Sequence, residues 1–311
     1  MSYNHKSRTG FTLVELLVSL VIISILSAMT LSGLSAVRRR SREEATRTTI
    51  RKIHEIIVPQ YESYLDKRLD RPSCVNAGNS AFSSLNGRRQ FEGGKLVVIR
   101  KTLAFEMPDN WDDVGDVVRP FSPMPASTFQ NGRTSAYQRY KIVDTTTTPV
   151  TLASNQYGDA ECLYMICLLS GFQPEAMENF RAEEIGDVDG DTKPEFLDAW
   201  GMPIGFIRWP TGFDGPITLN QETDPFDPES IDTSSPSSSP PRFLPGVVPL
   251  IYSAGLDQEY GLDVAQAAGV QPDVNVGDFN TVTATSGGHF ASPLPGNASQ
   301  DNISNHDLIT R

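Results

Sequence analysis

The sequence predicts an α+β protein: a long N-terminal helix, then a globular head with an antiparallel β-sheet and long loops. Three observations carry this. Residues 11–37 form a predominantly apolar run whose only charge is Glu15, and an apolar repeat of helical spacing continues beyond them. Residues 71–280 then mix short apolar runs with Gly and Pro turns, the pattern of a head rather than of a second long helix.

The first element is FTLVELLVSLVIISILSAMTLSGLSAV, Phe11 to Val37. A hydrocarbon core of about 30 Å needs about 20 apolar residues in helix, so this run is long enough to span a bilayer. A short leader, residues 1–10, precedes it with Lys6, Arg8 and no acid, and the basic cluster RRRSR (Arg38–Arg42) follows. A secretory signal peptide is one reading, with Leu34-Ser35-Ala36 as the cut, but the run exceeds the usual 7–15 residues. A plain membrane anchor is another, and basic residues on both sides leave its orientation unspecified. Neither accounts for Gly10 immediately before the run or for an acid five residues into it. A carboxylate in hydrocarbon costs a few kcal/mol and such residues usually have a partner. Cleavage after Gly10 would supply one: the new α-amine of Phe11, near the level of Glu15 on an axially staggered copy.

These residues, Gly10-Phe11-Thr12-Leu13-Val14-Glu15-Leu16-Leu17-Val18, resemble the class III leader junction of type IV pilins and type II secretion pseudopilins. The resemblance covers about the first 37 residues. It implies a prepilin peptidase that cuts after Gly10 and methylates Phe11, with Glu15 serving assembly. It also implies a single-pass cytoplasmic (inner) membrane protein with an extracytoplasmic, periplasmic head. Its partners would be other pilin or pseudopilin subunits, the lipid bilayer and an inner-membrane assembly platform, and its destination a filament.

The helix continues past the basic cluster. Ile50, Ile53, Ile57, Tyr61 and Tyr64 fall on one face, with Arg42, Glu43, Arg47, Arg51, Glu55 and Glu62 on the other. Pro59 is expected to kink or end the helix near Val58, with a further segment to about Asp70. The N-terminal helix is thus assigned to 11–70, transmembrane over 11–37 and amphipathic over 38–70. A continuous helix from Phe11 to Val58 would be about 72 Å long.

Within the head, Lys95–Arg100 (KLVVIR), Met202–Trp209 (MPIGFIRW) and Val247–Ser253 (VVPLIYS) read as strands. Glu161–Leu169 (ECLYMICLL) is helix or strand by periodicity, and Gly171 as a stop favours helix. Cys162 and Cys167, about 140° apart around a helix, read as small core residues rather than paired metal ligands. Cys74 falls in a polar stretch read as loop. Residues 224–246 form a Ser/Pro-rich surface loop, and 281–311 a polar, mobile tail.

Charge narrows the function. Residues 1–52 hold nine Lys/Arg and three Glu, and the rest of the chain holds 17 basic against 35 acidic residues. A body so acidic repels phosphates, so no nucleic-acid partner is expected. Three cysteines make no disulfide framework.

One motif carries chemistry. In Asp187-Val188-Asp189-Gly190-Asp191-Thr192-Lys193-Pro194-Glu195, acids alternate around a Gly that permits a sharp turn. Alternating carboxylates in a tight loop supply the oxygens Ca²⁺ requires. The Gly precedes the third acid, unlike an EF-hand, and the loop resembles the DxDGDxxxD/E calcium loop of integrin-like repeats. That resemblance makes Asp187, Asp189, Asp191 and Glu195 carboxylate ligands and Lys193 a backbone-oxygen ligand. A solvated acidic turn without metal is the competing reading. Two further segments, Asp198-Ala199-Trp200-Gly201-Met202-Pro203 and Tyr252-Ser253-Ala254-Gly255-Leu256-Asp257, are similar to the D-x-W-G-x-P and Y-S-x-G-x-D segments of major pseudopilin heads. That similarity makes Asp257 a secondary calcium candidate, although Asp263 alone stands where those heads carry an acidic pair.

Enzyme signals are absent: there is no G-x-S-x-G, phosphate loop, HExxH or CxxC. Asp109, Asp112, Asp113 and Asp116 around Trp111 read as a solvated loop rather than a glycosidase pair. The expected function is therefore a non-enzymatic pseudopilin of a type II secretion-like system. A minor type IV pilin for DNA uptake or adhesion, and a membrane-anchored extracytoplasmic enzyme or glycan-binding protein, are the rivals.

Overall fold

The computed structural model describes residues 12–109, 157–169, 178–210, 225–229, 231, 248–262 and 301–308. In order, the elements are α1 (Leu13–Glu62), α2 (Arg71–Ala81), α3 (Gly87–Glu106), α4 (Gly158–Leu169), a 3-10 turn (Ala182–Glu184), β1 (Ile185–Gly186), β2 (Glu195–Phe196), β3 (Gly205–Ile207), β4 (Leu250–Ser253), β5 (Ile303–Ser304) and α5 (Asn305–Leu308). Helices and small antiparallel sheets together give the α+β class. The chain divides into two units, Met1–Glu44 and Ala45–Arg311.

In the first unit, the described apolar side chains of α1 are exposed, from Leu13 at 81% to Val37 at 65%. The helix passes Gly33 without a break. Hydroxyls in this stretch satisfy themselves on the preceding turn: Ser19 Oγ donates to the Glu15 carbonyl and Ser24 Oγ to the Leu20 carbonyl, both at 2.7 Å. This keeps the surface apolar.

The second unit begins where α1 becomes amphipathic. Ile50, Ile53, Ile57, Tyr61 and Tyr64 are all buried, as their spacing predicts. They share a core with Leu163 and Ile166 of α4 and with Phe196, Phe206, Ile251 and Ile303 of the sheets. Pro59 does not end α1. The helix continues to Glu62, because Ile56, Ile57, Gln60 and Tyr61 on either side of the proline are held by burial.

Residues 95–100 form helix, not strand. They lie in α3, which is buried on two sides: Leu96 and Leu103, with the C-cap Met107, enter the main core, while Val97 and Val98 pack with Cys74 and Ala77 of α2. A helix sandwiched in this way loses its polar face, and its apolar run imitates a strand. Cys74 is likewise a buried α2 residue rather than a loop residue. Asp70 caps α2, accepting from the Ser73 amide at 3.0 Å and its hydroxyl at 2.7 Å. Small residues let α2 and α3 approach closely: a Cβ on Gly94 would lie 1.9 Å from the Cys74 carbonyl oxygen.

β1 and β2 form an antiparallel pair, and β3, β4 and β5 a three-stranded antiparallel sheet in that order. Strands were expected over 202–209 and 247–253, and the ladder holds the shorter stretches 205–207 and 250–253. The apolar segment 161–169 is helical, with Cys162 and Cys167 in the core. Asp109 is buried, not solvated: it accepts from the Arg208 amide at 3.2 Å and pairs with its guanidinium at 3.4 Å. Asp112, Asp113 and Asp116, most of the loop 224–246, and 281–300 lie outside the described residues.

Within 281–311, expected to be a mobile tail, residues 301–308 instead complete the sheet. Asn305 Oδ1 accepts from the Ile251 amide at 2.9 Å, and its Nδ2 donates to the Pro249 carbonyl at 3.0 Å. His306 is fully buried, with Nε2 3.3 Å from the Val248 carbonyl oxygen. Burial pushes its imidazole down to about 4. Between that value and the ordinary 6.5, the unfolded chain takes up a proton that the folded chain refuses, so acidification through this window removes stability. The loss from pH 7.5 to pH 4 is on the order of 3 kcal/mol. The stability difference between wild type and His306→Gln, measured by urea melts of the detergent-solubilised chain, should shift by about that much in favour of the variant. An unchanged difference would mean that His306 is solvated.

Candidate functional site

At the start of α1, Thr12 and Glu15 form a reciprocal cap. Thr12 Oγ1 accepts from the Glu15 amide at 3.2 Å, and Glu15 Oε2 accepts from the Thr12 amide and hydroxyl, each at 3.0 Å. This is a capping box, T-x-x-E, that satisfies two otherwise orphaned groups at the helix start. Glu15 is thus locally held at the head of a helix long and apolar enough to cross a membrane. Gly10 and Phe11 lie outside the described residues.

The acidic loop joins β1 to β2. Gly190 and Thr192 both adopt left-handed backbone, at φ 79° and 76°. The carboxylate of Asp187 holds this turn closed: Oδ1 accepts from the amides of Gly190 at 2.8 Å and Asp191 at 3.1 Å, and Oδ2 from Thr192 at 3.0 Å. Asp191 accepts from the Lys193 amide at 2.9 Å and also pairs with the Lys193 ammonium. That ammonium lies 3.4 Å from Glu161 Oε2 of α4. Burial lowers the affinity of Lys193 for its proton, but Asp191 and Glu161 more than offset this and hold its pKa above the ordinary value. The resemblance to integrin-like loops implies only a backbone-oxygen role for Lys193, whereas its side chain is a local counter-charge to Asp191 and Glu161.

Two groups of carboxylates converge. Asp187, Asp189 and Asp191 form an outer group, and Glu161, Asp189 and Glu195 an inner one, with oxygens in each group within 4.8 Å of one another. Glu195 is fully buried. Its Oε2 accepts from the Val188 amide at 3.2 Å, while Oε1 has no hydrogen-bond partner among the described residues. Burial, with the charges of Asp189, Glu161 and Asp187, pushes Glu195 up to about 7. Glu161 was missed because it opens the apolar run ECLYMICLL, which reads as plain core. Only the fold brings α4 against the loop.

Asp257 stands elsewhere. It is exposed, its amide and that of Leu256 donate to Asp301 Oδ2 at 3.0 and 2.7 Å, and it accepts from the Glu259 amide at 2.9 Å. Among the described residues no converging group of acids includes it. Asp263 lies outside them. The two head segments singled out in the sequence do meet: Asp198 Oδ1 accepts from the amides of Trp200 and Met202 at 2.8 and 2.9 Å, and Oδ2 from Ser253 Oγ at 2.6 Å.

Compared with known families, residues 5–31 match the one described as the prokaryotic N-terminal methylation motif. No curated protein and no solved structure matches the chain. The match places a type IV pilin-like, class III leader on the chain, and such a motif implies processing by a prepilin peptidase and assembly with other subunits.

Proposed function

We propose that this chain, a pilin-like subunit by its N-terminal methylation motif, is a pseudopilin that builds the short filament of a type II secretion-like system. The observation that carries the reading is the continuity of that motif, at residues 5–31, with an apolar helix whose first turn holds Glu15. Cleavage after Gly10 exposes the amine of Phe11. Extraction from the bilayer then lets α1 pack against copies of itself, burying in a filament the apolar surface that the single chain exposes. The head stays on the extracytoplasmic side and decorates the filament. The peptidase, sibling subunits and an inner-membrane platform are its partners, and the chain is substrate rather than catalyst. The acidity of residues 53–311 supports secretion over DNA uptake, since a DNA-binding tip would gather cations.

Processing is tested by N-terminal sequencing and intact mass of membrane-extracted protein. The expected mature chain begins at Phe11 and carries one added methyl group. Gly10→Val should leave essentially all of the protein at precursor length, because a branched side chain obstructs the peptidase. A chain beginning at Met1 or near Val37 would overturn the reading. Deleting the gene should retain extracellular enzymes within the cell envelope while leaving DNA uptake and adhesion intact; the opposite pattern favours a pilus.

A further inference from the structure

We propose that Glu161, Asp189 and Glu195 bind a divalent cation of the Ca²⁺ type between α4 and the β1–β2 loop, with Glu195 Oε1 as an inner ligand. The site differs from the residue set that the loop alone suggests, because its third carboxylate comes from α4 and two of the loop acids serve other tasks.

The geometry comes first. Ligand oxygens around Ca²⁺ lie at about 2.3–2.6 Å from the ion, so two ligands of one ion are separated by at most about 5 Å. One carboxylate oxygen from each of Glu161, Asp189 and Glu195 lies within 4.8 Å of the other two. Burial adds an independent reason. A fully buried carboxylate oxygen without a donor is costly, and Glu195 Oε1 is such an oxygen. A cation at this point satisfies it, and no described side chain does so.

Charge points the same way. Five carboxylates (Asp187, Asp189, Asp191, Glu161 and Glu195) gather in two overlapping groups, and the Lys193 ammonium pairs with two of them, Asp191 and Glu161. Asp187 spends both oxygens on three backbone amides and shapes the turn. Asp191 is engaged by Lys193. The inner three form the oxygen-rich face: Glu161 shares its charge with the Lys193 ammonium, Asp189 also accepts from the Asp191 amide at 3.3 Å, and Asp189, exposed at the rim, leaves room for water to complete the shell of six to eight oxygens. All ligands are hard oxygens, which selects a hard cation over softer metals, and three carboxylates converging on one point favour the larger, more readily dehydrated Ca²⁺ over Mg²⁺, which gives up its water shell reluctantly.

The test titrates Ca²⁺, and separately Mg²⁺, into the full-length chain in detergent, followed by calorimetry. One Ca²⁺ per chain should bind, with Kd on the order of 10⁻⁴–10⁻³ M, and Mg²⁺ at least tenfold more weakly. Glu161→Gln and Glu195→Gln should each weaken Ca²⁺ at least tenfold, while Asp257→Asn leaves it unchanged. Lys193→Met should tighten it severalfold, since the ammonium and the cation share Glu161. That variant keeps the proposal testable if a Gln variant fails to fold, as judged by circular dichroism. No Ca²⁺ binding up to about 10 mM would overturn the proposal. So would binding that Glu161→Gln leaves intact, which would put the ion on the outer loop, or binding that Lys193→Met leaves unchanged or weaker.

Discussion

Glu15→Val should be inserted and cleaved normally yet yield at least tenfold less filament than the wild type, measured by shearing cells and quantifying the mature chain in the polymer fraction. Removing an intramembrane acid favours insertion by up to about 3 kcal/mol, so the failure would lie downstream of the membrane step. The structure adds a control. Glu15 also caps α1 through Thr12, a contact worth about 1 kcal/mol that an uncharged side chain can reproduce. Glu15→Gln keeps an acceptor for the Thr12 amide and removes the charge. If pairing with the Phe11 amine of a neighbour drives assembly, Gln fails like Val. If Gln assembles and Val does not, the capping box is the requirement and the charge pairing is wrong.

The second large effect concerns the head. Asp198→Ala should cost roughly 3 kcal/mol or more, read from urea melts of the solubilised chain by fluorescence of Trp200 and Trp209. Asp198 is buried, and its carboxylate ties the turn after β2 to Ser253 on β4. Alanine leaves two part-buried amides and the buried Ser253 hydroxyl without their acceptor, and three lost bonds to one charged group add up. Asp198→Asn should cost only about 1 kcal/mol, because its carbonyl oxygen still serves the amides and the Ser253 hydroxyl can turn to accept from its amide nitrogen. Equal effects of Ala and Asn would mean that charge rather than hydrogen bonding matters here.

The features legible in the sequence share a cause: their information is local. The apolar run of α1, its amphipathic continuation and the Asp/Gly loop each announce themselves within a few residues. The features that were not legible depend on distant partners. KLVVIR is a helix whose two faces are both covered, one by the main core and one by α2, so periodicity carries no signal. Pro59 stays inside α1 because burial around it outweighs the lost backbone bond. The polar composition of 301–308 reads as tail, yet Asn305 spends its amide on the backbone around β4. Glu161 reads as the edge of an apolar segment until α4 meets the acidic loop.

The order of the three-stranded sheet has a consequence for biosynthesis. β4 is the middle strand, and its second neighbour, β5, lies about fifty residues later in the chain. At about 5–20 residues per second, the ribosome delivers β5 some 3–10 seconds after β4. During that interval Leu250–Ser253 presents an open hydrogen-bonding edge, while α1 has long since left the ribosome and is free to enter the bilayer. On the proposed reading, anchoring would precede completion of the head, and a chain interrupted before residue 303 would be left in the membrane with an adhesive edge, a ready mark for envelope proteases to discard it before it reached a filament.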